Sequence, residues 1–189
     1  MSTANYRLGL ALVLLAAARP GAGQEAQLPA LAFLGFEAGA PLASIDRQVA
    51  ALGGSKLRCN RARRDRRVQE CRGQVTDPVS RRSVELWLSA IDSATGVLTI
   101  SSPLSGVELD AWRRTLETQF GPVGATVMGP QWSLQWVRGG RMLRLTWRID
   151  NGAKVASVSL VDGHVLDAWG RERAQATRRH PPRPRAASP

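Results

Sequence analysis

The hydrophobic positions of this chain recur with two periods, and each period predicts a different element. In residues 39–54 and 106–121, apolar side chains recur at steps of three and four, which predicts two amphipathic helices. Later stretches alternate instead: Leu143, Leu145, Trp147 and Ile149 fall on one face of a strand, and Arg144, Thr146 and Arg148 fall on the other. The apolar face should meet the helices, and the polar face should meet solvent or a ligand.

The two helical stretches resemble one another and are followed by similar strand segments, which predicts an internal repeat. Leu42 and Leu109 align, both stretches end at glycine, and Ile91 aligns with Ile149 further on. The first copy carries an insertion around two cysteines that the second copy lacks. The predicted strands are residues 56–60, 68–74, 83–91 and 96–102 in the first copy and residues 123–128, 131–138, 141–150 and 154–160 in the second.

These elements predict an α+β fold of two tandem units, each a helix plus a four-stranded antiparallel meander, followed by a short C-terminal helix from Asp162. Ser105 and Glu108 predict a capping box at the second helix, and Pro41 suits the start of the first. The predicted organisation is a signal peptide (1–23), an N-terminal segment (24–38), the first repeat with its disulfide hairpin (39–105), the second repeat (106–170) and a disordered basic tail (171–189).

The N-terminus has the pattern of a secretory signal peptide. A weakly positive start precedes eleven consecutive apolar residues, 8–18, and small residues then suggest cleavage before Gln24. A membrane anchor is the alternative, although a span requires about 20 apolar residues. Since no cysteine follows the apolar run until Cys59, the pattern of an acylated lipoprotein is missing. We expect an exported protein, periplasmic or extracellular.

Export determines how the two cysteines are interpreted. Outside the cytoplasm, two nearby thiols are usually oxidised, so we expect a Cys59–Cys71 disulfide. A zinc site would need further ligands, and neither His164 nor His180 has suitable spacing from the cysteines. A redox motif would need a tighter Cys-x-x-Cys spacing. We therefore expect no metal and no cofactor.

The formal charge of +11 is concentrated in two segments. Residues 57–72 contain seven arginines and the tail contains six, and the rest of the chain is close to neutral. The segment between the cysteines holds the densest cluster: Arg61, Arg63, Arg64, Arg66 and Arg67. Two interpretations stay open. The cluster either contacts an anionic polymer or lipid surface, or is a solvated hairpin in a chain with 24 arginines and 2 lysines. Export disfavours nucleic acid.

Among the six tryptophans, Trp87 is the second candidate for binding. Trp112, Trp132 and Trp147 fall on apolar faces and should pack in the core. For Trp87 two patterns disagree. Strand alternation pairs Leu86 with Leu88 and leaves Trp87 on the polar face, whereas the repeat alignment matches Trp87 with Leu145 and favours burial. If Trp87 is exposed close to the arginine cluster, it is a binding hot spot.

No sequence pattern nominates a catalytic site. Nucleophile elbows, histidine-rich metal motifs and glycine loops that bind phosphate are missing. His164 lies beside Asp162 and Asp167 in the sequence, but a general base needs a positioned partner and a pocket, and the sequence shows neither, so we interpret it as a surface residue near the start of a helix. The sequence thus disfavours an enzyme, and an uncharacterised hydrolase is only an alternative to a binding function.

The helix that ends at Leu-Gly or Phe-Gly, with strands after it, occurs at residues 39–54 and 106–121. This arrangement resembles the secreted β-lactamase inhibitor proteins and, for one unit, the small lipoproteins of outer-membrane β-barrel assembly. The resemblance implies a module that presents a curved sheet face to a partner protein. The lipid-bearing cysteine is absent, and the inhibitor's contact residues have no match here. We expect an unidentified protein partner, and the oligomeric state stays open.

Overall fold

A computed structural model describes residues 29–150 and 152–179, so the predicted signal peptide and the last ten residues of the predicted tail lie outside the described residues. The elements in chain order are β1 (Ala32–Phe33), β2 (Phe36–Glu37), α1 (Leu42–Ala51), β3 (Arg58–Arg61), β4 (Val68–Thr76), β5 (Ser83–Ile91), β6 (Ala94–Leu104), α2 (Gly106–Phe120), β7 (Thr126–Met128), β8 (Gln131–Arg138), β9 (Arg141–Asp150), β10 (Ala153–Asp162) and α3 (Gly163–Arg179).

The first two helices form where the apolar periodicity predicts them. Helix α1 begins after Pro41 and buries Ile45 and Val49. Helix α2 begins with the predicted capping box: the Ser105 amide donates to the Glu108 carboxylate at 2.7 Å, and the Glu108 amide donates to the Ser105 hydroxyl at 3.3 Å. These hydrogen bonds, together with the positive charge and hydrogen bond of Arg82, hold the pKa of Glu108 below its ordinary value.

All strands from β3 to β10 belong to one antiparallel sheet, in the order β3-β4-β5-β6-β10-β9-β8-β7. Strands that follow each other in the chain pair with each other, except at the centre, where β6 pairs with β10. Their register runs over eight residue pairs, from Lys154 opposite Leu104 to Val161 opposite Val97. The short β1–β2 hairpin forms a separate two-stranded sheet.

The predicted division into two tandem helix-plus-meander units is therefore wrong, although the α+β class is right. The pairing of β6 with β10 joins all eight strands of this sheet. Two separate four-stranded sheets would each leave a long last strand with unpaired N–H and C=O groups, and pairing those strands removes both edges. The edges that remain are short: β3 has four residues and β7 has three.

The main hydrophobic core lies between one face of the sheet and helices α1 and α2. Helix α2 contributes Leu109, Trp112, Leu116 and Phe120, and the same cluster includes Ile45 of α1. The buried Asp77, between β4 and β5, reaches into this core and accepts a hydrogen bond from the Trp112 indole N–H at 3.0 Å. It also accepts from the Ser80 hydroxyl at 2.8 Å, so a side chain of α2 is tied to the β4–β5 turn.

Helix α3 is longer than the short helix predicted, because it runs for 17 residues, to Arg179. Residues 171–179, predicted as disordered tail, are thus helical. Their alanine, arginine, glutamate and glutamine residues have high helix propensity, and the first proline after them is Pro181. None of the helices in the described ranges is long and apolar enough to cross a membrane.

The start of α3 is fixed by Asp162, which is only 2 % exposed. Its carboxylate accepts hydrogen bonds from the Val165 amide at 3.1 Å and from Arg141 Nε at 2.7 Å. Burial acts to raise the pKa of Asp162, but these hydrogen bonds and the arginine charge outweigh it and lower the pKa. A buried carboxylate thus stays ionised where it caps the helix N-terminus.

Candidate functional site

The sheet has two different faces. One face packs against α1 and α2 and supplies the sheet residues of the core. Within the described ranges, none of the residues of this main core cluster comes from the second face, which we call the open face. One end of the open face is covered, because buried Ile91 of β5 lies with Val165 and Leu166 of α3 around Gly96. On the central strands β6 and β10 the open face carries short side chains: Val97, Thr99, Ser101, Pro103, Val155, Ser157, Ser159 and Val161.

Longer side chains lie on both sides of these short ones. Strands β4 and β5 carry Arg72, Gln74, Glu85 and Trp87 on one side, and β9 carries Met142, Arg144 and Arg148 on the other. The open face is therefore lowest along β6 and β10, and we call this region the central trough. Two adjoining depressions of about 370 and 310 Å³ lie at its β4–β5 side, and both are lined by Gln74, Glu85 and Ser101.

Hydrogen bonds between neighbouring strands fix the trough floor. The Thr99 and Ser159 hydroxyl oxygens are 3.1 Å apart, and those of Thr146 and Ser157 are 2.8 Å apart. On the β9 side, Arg144 donates to the Gln135 side chain from Nη2 at 2.6 Å. The floor is therefore a hydrogen-bonded surface of small polar and apolar side chains, which a partner can approach closely.

Trp87 lies in the wall of the trough. It is half-buried, on the open face, while its neighbours Leu86 and Leu88 are buried in the core. The repeat alignment that favoured burial of Trp87 is thus wrong, and the strand alternation is right. In the sheet register Trp87 stands between Arg72 of β4 and Thr99 of β6, in a row that continues to Arg58 of β3.

Arg58 and Arg72 form a pair of like charges at this end of the row. They are directly opposite each other in the β3–β4 register, and both are exposed. Neither makes a salt bridge with any described residue, although Glu85 and Glu70 line the depressions on either side of the pair. Like charges opposite each other across strands are destabilising, so this pair favours an anion from outside.

The Cys59–Cys71 disulfide is confirmed, with an S–S distance of 2.02 Å. The two cysteines are opposite each other in the register of β3 and β4, and Cys71 is buried. Because side chains alternate between the faces, the disulfide on the core face holds Arg58 and Arg72 together on the open face. Sequence reasoning missed both arginines, although the predicted disulfide hairpin implied that they are neighbours.

The five arginines between the cysteines have two different environments. Arg67 is half-buried and forms salt bridges with Asp65, Asp92 and Glu172 of α3. The Asp65 carboxylate also accepts a hydrogen bond from the Trp169 indole at 2.8 Å. This hydrogen bond, together with those from Arg67, lowers the pKa of Asp65 to about 2. Arg67 therefore holds the loop against α3 and is not a free binding residue.

The other four arginines are exposed and make no salt bridge with a described residue. We call them the loop arginines: Arg61, Arg63, Arg64 and Arg66. None of the five lines the depressions beside Trp87. The structure therefore does not combine the predicted binding residues into one site. Trp87 belongs to the trough with Arg58 and Arg72, and the loop arginines form a separate basic surface beside α3.

The remaining candidates are structural or isolated. His164 lies exposed in the first turn of α3, as predicted, where its Nε2 is 2.9 Å from the Gly139 carbonyl oxygen. Within the described ranges, no group of three or more histidine, cysteine, aspartate or glutamate residues could hold a metal ion. Trp132 and Trp147, predicted as core, are half-buried and stack with ring centroids 6.4 Å apart.

Comparison of the chain with protein-family models, curated proteins and solved structures finds no match. The resemblance to the β-lactamase inhibitor proteins and the assembly lipoproteins therefore stays an expectation from sequence. The functional conclusion has to come from the site itself.

Proposed function

We propose that this protein is an exported, non-enzymatic binding module that holds a partner protein in the central trough. The observation that carries the proposal is the open face of the sheet, where short side chains run between two rows of long ones with Trp87 in one wall. Tryptophan and arginine dominate the binding energy of protein interfaces, and both are present at this wall.

The other parts of the proposal come from the sequence and the disulfide. The apolar N-terminal segment has the pattern of a signal peptide, and a disulfide is typical of exported proteins. The non-enzymatic assignment follows from the lack of a sequence motif for catalysis. A sheet face that receives a partner protein is also what the resemblance to the inhibitor proteins implies.

The test compares partner capture by the wild-type protein with capture by variants whose trough is filled or has lost its wall. The chain without residues 1–23 is immobilised and exposed to the exported proteins of its source cells. We expect Ser101→Arg, which places a long side chain on the trough floor, and Trp87→Ala, which removes the wall, to abolish capture of one defined partner. Thr118→Arg, on the exposed side of α2, is the matched control and should capture normally.

Circular dichroism melts check that all variants fold equally. Capture that Ser101→Arg and Trp87→Ala leave intact, in folded protein, would refute the trough as the binding surface. Hydrolysis of a broad panel of peptide, ester and glycoside substrates by the purified chain would instead contradict the non-enzymatic assignment.

A second candidate function is binding of an anionic polymer or lipid surface by the loop arginines. One observation favours it: α3 contacts the loop through Trp169 and Glu172, and the Arg173 guanidinium lies over the Trp169 ring, 4.9 Å from its centroid, so a further arginine lies beside this contact. The acidic residues at this junction are already paired with Arg67. The surface therefore keeps an excess of positive charge, which attracts a polyanion.

Retention on heparin and on vesicles with anionic lipid tests this second function. The loop variant replaces Arg61, Arg63, Arg64 and Arg66 by glutamine, and the matched control replaces Arg47, Arg82, Arg113 and Arg114. Both variants lose the same charge, so only a local contact makes the loop variant elute at lower salt. Equal elution of the two variants would show that net charge alone causes the retention.

A further inference from the structure

One end of the trough combines two arginines with a tryptophan: Arg58, Arg72 and Trp87. We call it the basic corner, and its chemistry suits one kind of ligand group. We infer that the basic corner binds one acidic side chain of the partner, an aspartate or glutamate next to an apolar residue that covers Trp87. This inference rests on the proposed function and gives it a chemical specificity.

The arrangement of the basic corner follows from the sheet register. Arg58, Arg72 and Trp87 are consecutive members of one row across β3, β4 and β5. Neighbouring strands are about 4.8 Å apart, so the row from Arg58 to Trp87 spans roughly 10 Å. That length matches a carboxylate held by two guanidinium groups beside an apolar side chain on the indole ring.

The charge of the basic corner selects a carboxylate. Arg58 and Arg72 have no described salt-bridge partner, and an arginine donates two parallel hydrogen bonds to a carboxylate. Two carboxylates flank the pair, because Glu85 and Glu70 line the depressions on either side of it. Neither forms a salt bridge with Arg58 or Arg72, so the two guanidinium groups are left to a carboxylate of the partner, whereas a phosphate or sulfate polymer would place several negative charges next to both glutamates.

The disulfide makes the basic corner rigid. Cys59 and Cys71 are the residues adjacent to Arg58 and Arg72, so the bond on the core face fixes the spacing of the two arginines on the open face. Two guanidinium groups that are already held together lose less conformational entropy when they bind a common anion. The disulfide therefore holds edge strand β3 to β4, so that Arg58 of β3 stays beside Arg72.

The test uses a phage-displayed library of random peptides selected on the immobilised chain at physiological salt. Selected peptides are synthesised as acid and amide versions, with Asp→Asn and Glu→Gln, and their affinities are measured by fluorescence anisotropy. We expect each amide version to bind wild-type protein about tenfold more weakly, since it loses a charge-assisted hydrogen bond. In Arg58→Gln/Arg72→Gln protein, the acid and amide versions should bind equally.

The matched control is Arg63→Gln/Arg64→Gln, which removes the same charge from the loop and should keep the preference for the acid version. The inference is overturned if acid and amide versions bind wild-type protein equally, or if the preference survives in Arg58→Gln/Arg72→Gln protein. If either result is found but the peptides still lose affinity in Trp87→Ala protein, the proposed function stands and only the inference fails. Peptides that bind regardless of Trp87→Ala and Ser101→Arg, or no selected peptides at all, refute the proposed function as well.

Discussion

The single sheet and shared core predict that the chain unfolds in one step, and Leu88→Ala tests this. Leu88 of β5 is 0 % exposed, and in the register it lies between Cys71 and Leu98, which are also 0 % exposed. These neighbours are held in the sheet, and Cys71 also by its disulfide, so they cannot collapse fully onto an alanine and a cavity remains. Leucine-to-alanine changes at such sites cost about 2–5 kcal/mol of unfolding free energy.

For a domain of this size each kcal/mol lowers Tm by roughly 2–4 °C, so we expect a decrease of about 10 °C for Leu88→Ala. Because β6 and β10 are paired, the loss should reach β9 in the other half of the sheet. Urea unfolding followed by circular dichroism should stay a single transition. Native-state hydrogen exchange should show the same loss of protection at the Leu86 and Leu143 amides.

The control is Val97→Ala, on the open face of β6, where the side chain is half-exposed; we expect a cost well under that of Leu88→Ala. Two separate unfolding transitions would refute the reasoning. So would a Leu143 amide that keeps its protection in Leu88→Ala, because the two halves would then fold as independent units.

Three further predictions concern individual contacts. Cys59→Ser should lower the unfolding free energy by roughly 3 kcal/mol, the chain-entropy value for a short loop, and urea unfolding of wild type with and without reductant should differ by the same amount. Asp77→Ala should cost about 1–3 kcal/mol in thermal melts, because buried donors lose their acceptor, and a neutral effect would contradict its role in the core. The pKa of Asp65 is lowered in the fold, so its contribution to stability is present above its ordinary pKa and is lost as the pH falls towards about 2. Carboxyl NMR titration should give that midpoint in wild type and a higher one in Trp169→Phe, and equal midpoints would show that the indole hydrogen bond is unimportant.

Much of the local structure could be predicted from the sequence. The strands at 83–91 and 141–150 have the predicted bounds, and the capping box and the disulfide are present. These features depend on short-range patterns: alternation along a strand, a serine three residues before a glutamate, and two cysteines in one hairpin. Each pattern uses residues that are close in the chain, so no knowledge of distant partners is required.

The error at Trp87 shows where pattern reasoning fails. Alternation within SVELWLSAI placed Trp87 on the polar face, but an alignment between the two halves placed it in the core. A register shift of one residue moves every side chain of a strand to the opposite face. Strand β6 carries one extra residue where its register with β5 shifts at Ser89 and Ala90, whereas β9 and β10 pair without a shift. A single alignment offset is therefore one residue out along β5, and the alternation within β5 is the better guide.

The sequence by itself determined helices α1 and α2, the long strands, the disulfide hairpin and the positions of charge, because these follow from the order of neighbouring residues. It did not predict the β1–β2 hairpin or the length of α3. Only the tertiary structure decided that β6 pairs with β10, that Arg67 holds the loop to α3, and that Arg58, Arg72 and Trp87 stand in one row. Such contacts join residues far apart in the chain. They form because merging two sheets removes exposed edges and buries one common core, a gain that no local pattern records.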